Sequence, residues 1–378
     1  SGYRRLADRA VSLYVPFVHT TAALAFLGWM LAGAGFERAI MIAVTTLIIT
    51  CPCALALAAP VAQVVASGRL FRKGIFLKSG DAIERLSEID HIVFDKTGTL
   101  TLGEPELANR DAIPVETLVR AASMARASRH PLSRALVAAA GPGRLADGVK
   151  EYPGLGLEAV LDGETCRLGS ADWVEAADSE ASGPVLWFSQ GSAVPVRFEF
   201  HDVAQDGTRS AVQALEKSGY GLEILSGDRE EAVAGLAAEA GITHWQAAAS
   251  PKTKVERLEA LRAQGHRVLM IGDGLNDAGA LSLAHAALAP GGAMDISQSA
   301  SDAVYSGGPQ VVPFILGTAR RAQRITRQNF ALAALYNIVA VPVAIAGHVT
   351  PLIAAIAMSA SSLIVTLNAL RIEAGGKD

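Results

Sequence analysis

The chain of 378 residues has little cysteine and little charge. Its three cysteines are too few for a disulfide framework, and two of them lie in an apolar segment, where we do not expect a disulfide. Charged residues make up 19% and hydrophobic residues 51%, a balance that indicates a membrane protein. The net charge of −4 gives no reason to expect nucleic acid as a partner. A signal peptide and an initiator methionine are also missing, so we expect a piece of a longer protein.

Four long segments without Asp, Glu, Lys or Arg predict membrane-spanning helices at about 14–35, 39–67, 329–346 and 351–370. Lysine and arginine cluster at the ends of these segments that would face one side, and they are nearly absent from the short connections on the other side. By the positive-inside rule, both termini and the large middle region are expected to be cytoplasmic. The chain is therefore predicted to form two helical hairpins, at 1–73 and 313–378, around a soluble block.

The soluble block alternates short apolar runs with polar turns, which predicts α/β structure. The runs at 91–94, 221–225 and 268–271 end in turns rich in Gly, Asp and Ser or Thr. Buried strands of parallel sheets end in this way, and ligand sites lie at their carboxyl ends. The segment 107–200 has a different texture and is interpreted as an insertion, whereas 74–88 is predicted to be an amphipathic linker helix.

The polar residues at these strand ends are the parts of a phosphoryl-transfer site. Asp95 follows the first run and is the candidate nucleophile. Ser226 follows the second run and would donate to a phosphoryl oxygen, while Lys254 would neutralise phosphoryl charge. Asp273 and Asp277 follow the third run, and their spacing suits Mg²⁺ held by carboxylates and the phosphate.

The second apolar segment carries two prolines, and two cysteines flank the first of them. Pro52 stands between Cys51 and Cys53, and Pro60 follows within the same segment. Each proline removes a helical hydrogen bond, so we expect a doubly broken helix that leaves backbone carbonyls and two thiols near one point. Thiolates select Cu(I), Zn(II) and similar soft ions. The alternative is a kinked helix with two packing cysteines.

The last two apolar segments contain no Asp, Glu, Lys or Arg between Asn329 and Leu370, and this absence bears on the choice of metal. A divalent ion would require a carboxylate to balance its charge, whereas a thioether beside thiols suits a monovalent soft ion. The candidate ligands in these segments are Tyr336, Asn337, Met358 and Ser361. The alternative for Met358 is a packing methionine.

Several motifs resemble those of P-type ATPases. The run Asp-Lys-Thr-Gly-Thr-Leu-Thr from Asp95 to Thr101 matches their phosphorylation motif in every residue, and the run Gly-Asp-Gly-Leu-Asn-Asp that ends at Asp277 is also complete. Cys-Pro-Cys in the preceding span resembles the signature of the heavy-metal (type IB) branch. Tyr-Asn in the third span and Met-x-x-Ser-Ser in the fourth resemble the Cu(I) subgroup. The stretch from Gln328-Asn329-Phe330 through Thr366 to Arg371 further resembles the copper pumps linked to cytochrome oxidase assembly.

The resemblance implies a fold and a set of nucleotide contacts. We expect membrane helices plus a haloacid-dehalogenase-like Rossmannoid phosphorylation domain at 74–106 and 201–312, with an inserted α+β nucleotide-binding domain at 107–200. ATP and Mg²⁺ are the implied cofactors, with Asp95 and Thr97 joining Asp273 and Asp277 around Mg²⁺. The residues expected to contact the nucleotide are His130, Gly154, Gly156, Lys96, Gly227 and Asp228.

One position distinguishes a pump from a phosphatase. Phosphatases of this superfamily usually carry an acid/base Asp two residues after the nucleophile, whereas this chain has Thr97 there. The aspartyl phosphate is therefore expected to persist until another group hydrolyses it. The Thr-Gly-Glu motif is absent, so we expect the actuator domain and the earlier spans to be missing from this piece.

The resemblance also implies a function. We expect ATP-driven transport of a soft heavy-metal cation, foremost Cu(I), out of the cytoplasm through an aspartyl-phosphate intermediate. The alternatives are a Zn(II) or Cd(II) pump and a regulatory pseudo-pump that binds metal or nucleotide without turnover. The expected partners are membrane lipid, ATP, the metal ion and a copper chaperone, and the expected location is the inner membrane of a bacterial cell.

Overall fold

A computed structural model describes residues 2–176, 184–273, 277–293 and 295–374. The chain divides into two compact units. The first comprises Ser1–Ile89, Ser301–Ser306 and Val311–Asp378, and the second comprises Asp90–Ala300 and Gly307–Gln310. The sequence of alternating helices and strands in the second unit confirms the predicted α/β class.

The helices and strands have the following bounds. The helices are α1 (Gly2–Leu31), α2 (Phe36–Ile49), α3 (Cys53–Phe71), α4 (Ala82–Ser87), α5 (Val115–Ala125), α6 (Pro131–Ala140), α7 (Ala171–Val174), α8 (Thr208–Lys217), α9 (Glu230–Ala240), α10 (Pro251–Ala263), α11 (Ala278–Leu283), α12 (Asp295–Ala300), α13 (Val311–Ile345) and α14 (Pro351–Ala374). The strands are β1 (Ile75–Leu77), β2 (His91–Asp95), β3 (Thr101–Leu107), β4 (Lys150–Tyr152), β5 (Gly156–Leu161), β6 (Glu164–Gly169), β7 (Val185–Gln190), β8 (Val196–Ala204), β9 (Gly221–Leu225), β10 (His244–Gln246), β11 (Val268–Ile271), β12 (Ala286–Pro290) and β13 (Ala303–Tyr305).

The first unit is mostly helical. Three helical segments are long and apolar enough to cross a membrane, namely Phe36–Phe71, Val311–Ile345 and Pro351–Ala374. Within α1, the described side chains form a shorter apolar helix at Pro16–Leu31. The side chains before Pro16 lie outside the description, so the full length of the first predicted span stays a prediction.

The predicted double break in the second span is half wrong. The helix is interrupted only once, where α2 ends at Ile49 and α3 begins at Cys53, directly after Pro52. Pro60 lies inside α3, which continues through it. A stripe of buried small residues at every fourth position, Ala54, Ala58, Ala62 and Ala66, runs along α3. Such a stripe allows close packing against α13 and α14, and this packing stabilises the helix despite the hydrogen bond lost at Pro60.

The predicted linker helix at 74–88 is also partly wrong. The chain forms strand β1 first, and helix α4 begins only at Ala82. Gly74 adopts a φ of +74° and ends the helical path of the preceding segment. Strand β1 then pairs antiparallel with β13, more than two hundred residues further along the chain. Such a distant partner leaves no local signal in the sequence.

The second unit contains a parallel sheet with strand order β12-β11-β2-β9-β10. Its central strands are almost fully buried, which explains why they appear in the sequence as continuous apolar runs. Because all five strands are parallel, their carboxyl ends meet at one edge of the sheet. The predicted strands at 221–225 and 268–271 are confirmed.

An antiparallel sheet with strand order β3-β8-β7-β6-β5-β4 is inserted between β2 and β9. Helices α5 and α6 cover it around an apolar core that includes Leu136, Leu168 and Phe198. Strand β3 already begins at Thr101 and β8 continues to Ala204. The sheet therefore extends a few residues beyond the predicted insertion of 107–200, because the two connecting strands also belong to it.

Candidate functional site

Three of the predicted site residues follow neighbouring parallel strands. Asp95 is the last residue of β2, Ser226 follows β9 directly, and Asp273 lies two residues after β11. Strands β9 and β11 pair with β2 on its two sides, so all three side chains begin at the same sheet edge. Asp277, at the N-cap of α11, and Lys254, in the first turn of α10, complete the group.

The carboxylates of this group crowd around one lysine. Oxygen atoms of Asp95, Asp273 and Asp277 all lie within 4.8 Å of one another. Lys254 Nζ donates to Asp277 Oδ1 at 2.7 Å and forms a shorter hydrogen bond with Asp95 Oδ1. Three carboxylates therefore face one ammonium group, and the local charge is negative. Oxygen ligands with excess negative charge are what Mg²⁺ prefers, so the residues present fit the implied metal.

The proton affinities reflect this crowding. Burial and then the adjacent Asp277 carboxylate raise the pKa of Asp95 to about 7, although Lys254 opposes the shift. Burial and Asp277 also raise the pKa of Asp273. Burial lowers the pKa of Lys254, but the two carboxylates outweigh it and the net shift is upward. Lys254 therefore stays charged. A cation bound beside Asp95 would lower the pKa of this carboxyl group and favour its ionised form.

The glycine of the motif is required by the geometry of the turn. Gly98 has a φ of +68°, in the left-handed region that favours glycine. A Cβ atom at this position would lie 1.7 Å from Oδ2 of Asp273. The turn after Asp95 therefore presses its backbone directly against a second carboxylate of the site. Thr99, one residue further on, is buried with a hydroxyl that has no hydrogen-bond partner among the residues described.

Lys96 has partners that the sequence did not indicate. Its ammonium is buried and forms ion pairs with Asp202 of β8 and Asp228 in the turn after β9. Burial lowers the pKa of Lys96, but the two carboxylates raise it further, so the net shift is upward. A nucleotide phosphate would have to compete with both carboxylates for Lys96. Asp202 was missed because only the return of β8 to this edge brings it near the motif.

A cleft of about 890 Å³ joins the motif to the inserted sheet. Lys96, Thr97, Gly227 and Asp228 line it, and His130 lines it as well. The predicted nucleotide contacts of the two regions are thus brought to one cavity. His130 is exposed, caps α6 and accepts a hydrogen bond on Nδ1 from the Leu132 amide at 3.3 Å.

Gly154 and Gly156 are the predicted nucleotide contacts that the structure does not bring to this cleft, as far as its described lining extends. Gly156 serves strand packing instead. A Cβ atom there would lie 2.3 Å from the Leu168 carbonyl oxygen and 2.6 Å from Cα of Gly169. The close approach of β5 and β6 therefore explains this glycine without a ligand.

Ser226 is buried, and its hydroxyl accepts a hydrogen bond from the Asp228 amide at 3.2 Å. This bond holds the turn after β9 in shape. The hydroxyl proton remains for another acceptor, which is compatible with the predicted donation to a phosphoryl oxygen.

The cysteines of the apolar unit differ from the expectation. Cys51 and Cys53 are joined by a disulfide, which the apolar setting had argued against. The turn at Pro52 brings their Cα atoms to 5.4 Å, within the range that a disulfide spans. Metal ligation requires the thiolate form, so these sulfur atoms could hold an ion only after reduction.

The other candidate ligands lie on α13 and α14, which both pack against α3. Tyr336 packs beside Ile48 and Ile49, just before Cys51. Within the described part of the chain, the buried Tyr336 Oη and Asn337 Oδ1 have no hydrogen-bond partner. Met358 and Ser361 lie in the middle of α14. Unpaired oxygen atoms in an apolar unit are costly, so these two atoms are candidates for ion ligands.

Comparison with known proteins places this arrangement in a family. The profile of the haloacid dehalogenase-like hydrolases matches residues 89–285. The nitrogen fixation protein FixI of Rhizobium meliloti is 46% identical over 98% of this chain and 49% of its own length. The copper-exporting P-type ATPase of Mycobacterium tuberculosis is 37% identical over 99% of this chain and 51% of its own. The chain spans about half the length of the curated relatives that it matches.

Solved structures of P-type ATPases are also similar to this chain. A zinc-transporting PIB-type ATPase in its E2.Pi state matches with a TM-score of 0.80 at 28% identity, over 97% of this chain and 63% of that one. The catalytic domain of the CPx-ATPase CopB-B matches with a TM-score of 0.55 at 30% identity, over 67% of this chain and 98% of that domain. With the strand-end carboxylates and Cys-Pro-Cys already in place, the chain belongs to the haloacid dehalogenase-like hydrolases and, within them, to the heavy-metal P-type ATPases.

Proposed function

We propose that this chain is the catalytic and carboxyl-terminal membrane part of a pump that uses ATP to move Cu(I) out of the cytoplasm across a bacterial inner membrane. The observation that carries the proposal is the group of three carboxylates around Lys254, with Asp95 as the strand-end nucleophile. The soluble unit then lies in the cytoplasm, where ATP is available. A copper chaperone is the expected source of the ion.

In the proposed reaction, a carboxylate oxygen of Asp95 attacks the γ-phosphorus of ATP. A bond forms between Asp95 and phosphorus, the bond to the bridging oxygen breaks, and ADP leaves. Lys254 offsets the charge on the phosphoryl oxygens, and Ser226 and Thr97 donate to them. Mg²⁺ held by Asp273 and Asp277, when bound, supplies further positive charge at the phosphoryl group.

The base of the nucleotide is proposed to lie at the other end of the cleft, beside His130. The cavity of about 890 Å³ has the size that a nucleotide requires. Thr97 cannot act as an acid/base as a second aspartate would, so the aspartyl phosphate should be long-lived in this chain. A pump needs such a lifetime, because the energy of the phosphoenzyme must drive movement of the helices.

Cu(I) is proposed as the cargo for two reasons. The candidate ligands are sulfur atoms and neutral oxygens, and α13 and α14 carry no carboxylate between Asn329 and Leu370. A relative at 37% identity is named as a copper exporter. Zn(II) is the second candidate, favoured by the similarity to a zinc-transporting ATPase at 28% identity. A regulatory pseudo-pump is a third, and the complete set of charged residues at the site speaks against it.

Labelled ATP tests the proposal. The full-length protein should incorporate the γ-phosphoryl group into a hydroxylamine-sensitive acyl phosphate, and Asp95→Asn should lose the label. Asp206→Asn, which removes an exposed carboxylate of the same unit, is the matched control and should keep it. Label that persists in Asp95→Asn would disprove the nucleophile. If Zn(II) but not Cu(I) stimulated phosphorylation, Zn(II) would be the cargo in place of Cu(I).

A further inference from the structure

Two arginines meet at one end of the helical unit, where the side chain of Arg321 contacts the backbone of Arg371. Arg321 of α13 donates from Nε and Nη2 to the backbone carbonyl of Arg371, at 3.0 and 2.6 Å. Arg371 lies in the last turn of α14, where carbonyl groups lack intrahelical partners. The hydrogen bonds satisfy that carbonyl, but among the described residues neither positive charge has a carboxylate partner.

Arg371 is itself fixed by a chain of hydrogen bonds. Its Nη1 donates to Asn368 Oδ1 at 2.8 Å, and Asn368 Nδ2 donates to Asn329 Oδ1 at 2.8 Å. Asn329 is fully buried and donates to the backbone carbonyl groups of Ala58 and Val365. Polar side chains on α13 and α14 thus hold the Arg371 guanidinium in place. The series of hydrogen bonds extends to Ala58 of α3. Both arginine side chains are therefore held by hydrogen bonds within the helical unit.

No carboxylate neutralises this pair within the described chain. The last acidic residue described, Glu373, forms an ion pair with Arg72 at 2.9 Å and 47% of its side chain is exposed. Arg324 and Arg327 follow on the next turns of α13 and are exposed. The segment therefore carries a surplus of positive charge on rigid helices, and an anion is the complementary ligand.

The surface beside the pair is apolar. One face of α14 exposes large aliphatic side chains up to the turn that holds Arg371, namely Leu363, Ile364, Leu367 and Leu370. About half of each of these side chains is accessible. Both α13 and α14 are long and apolar enough to cross a membrane. The arginines therefore stand where an apolar helix surface meets water, which is the level of lipid headgroups.

We propose that Arg321 and Arg371 form a binding site for the phosphate of an anionic phospholipid, whose acyl chains lie along the exposed face of α14. The two guanidinium groups would donate to the phosphate oxygens, and Arg324 and Arg327 would add charge nearby. The site is independent of the transported ion and of ATP. A lipid is preferred over a soluble anion because the apolar face continues directly from the charged pair.

Native mass spectrometry of the detergent-solubilised chain, titrated with phosphatidylglycerol or phosphatidylcholine, tests this site. The wild type should bind phosphatidylglycerol more tightly. Arg321→Gln and Arg371→Gln should each weaken that binding about fivefold, the factor for about 1 kcal/mol per basic residue near a membrane surface. Arg371→Lys keeps the charge and should stay within about twofold of the wild type.

Arg72→Gln is the matched control, because it removes one exposed positive charge that already has a carboxylate partner. It should leave phosphatidylglycerol binding unchanged, and unfolding temperatures of all variants should be recorded alongside. An equal loss in Arg72→Gln would show that diffuse surface charge is responsible. Displacement of the lipid by millimolar inorganic phosphate, or equal affinity for both lipids, would also overturn the site.

Discussion

The group of carboxylates at the strand ends and the candidate ion ligands in the helical unit have opposite chemical character. At the strand ends, three carboxylates surround one ammonium, every group is charged, and the excess is negative. In the helical unit, the candidate ion ligands include two sulfurs and the neutral oxygens of Tyr336 and Asn337, and these two oxygens have no hydrogen-bond partner in the described chain. Carboxylates suit a hard cation beside phosphate, whereas an apolar interior favours soft or neutral ligands.

The two sites also differ in the elements that position their residues. Asp95 and Asp273 follow two neighbouring parallel strands, Asp277 caps α11, and Gly98 allows the backbone to approach Asp273. The sulfur site instead depends on one helix interruption at Pro52. We therefore expect substitutions at the strand ends to act on phosphorylation itself, and substitutions in the helices to act on its dependence on metal.

The largest effect is expected from Gly98→Ala in the full-length protein. The new Cβ atom would collide with the Asp273 carboxylate, so the turn after Asp95 must move. A displacement of about 1 Å at a reacting group costs on the order of 100-fold in rate, and we expect at least that loss of phosphoenzyme formation. Gly317→Ala, at a helical glycine with open space around it, should keep normal rates. Normal labelling of Gly98→Ala would contradict the close packing.

The second prediction concerns the reduced sulfur pair. Replacing Cys51 and Cys53 together by Ser should lower phosphorylation with metal to its level without metal, because a hydroxyl does not replace a thiolate for soft ions. Binding of ATP should be unchanged. Cys166→Ala, which removes the buried thiol of the inserted sheet, is the control and should keep metal activation. Full activation of phosphorylation by metal in the double variant would show that the ion binds elsewhere.

A third prediction uses the raised pKa of Asp95. Since its folded-state pKa of about 7 exceeds the ordinary value of 3.8, the folded state binds more protons between these limits. This contribution to stability is fully present below about pH 4 and is lost as the pH rises through 7. Without Mg²⁺, the free energy of unfolding of the wild type should fall relative to Asp95→Asn across this window, by at most about 4 kcal/mol.

Chemical denaturation at several pH values measures this difference. Added Mg²⁺ should shrink it, because a bound cation favours the ionised carboxylate. Asp206→Asn, which removes an exposed carboxylate of the same unit, is measured alongside as the control. A flat difference for Asp95→Asn would mean that the carboxyl group titrates normally.

The smallest effect is expected at His130. It lies in the cleft but apart from the carboxylates, so His130→Ala should weaken ATP binding about fivefold, as expected for one hydrogen bond of about 1 kcal/mol. Phosphorylation at saturating ATP should be unchanged. The neighbouring Arg129→Ala, also exposed, serves as control and should bind ATP normally. Lost phosphorylation with normal ATP affinity would assign His130 a catalytic role.

Some features could be predicted because they depend on neighbouring residues. An apolar run that ends in a polar turn predicts a buried parallel strand, and this logic located Asp95, Ser226 and Asp273 at one edge. The roles of these residues stay predictions, but their proximity follows from the parallel pairing. Pro52 likewise predicted the helix interruption, since a missing amide acts on its own helix.

Other features were decided only by contacts between distant segments. The ion pairs of Lys96 with Asp202 require β8 to return beside β2, and the pairing of β1 with β13 joins residues from opposite ends of the soluble block. The close approach of the β6 backbone accounts for the glycine at position 156. At Pro60, packing against two other helices outweighs a local helix breaker. Local sequence fixes what a segment prefers, whereas such contacts add free energies that only the assembled fold supplies.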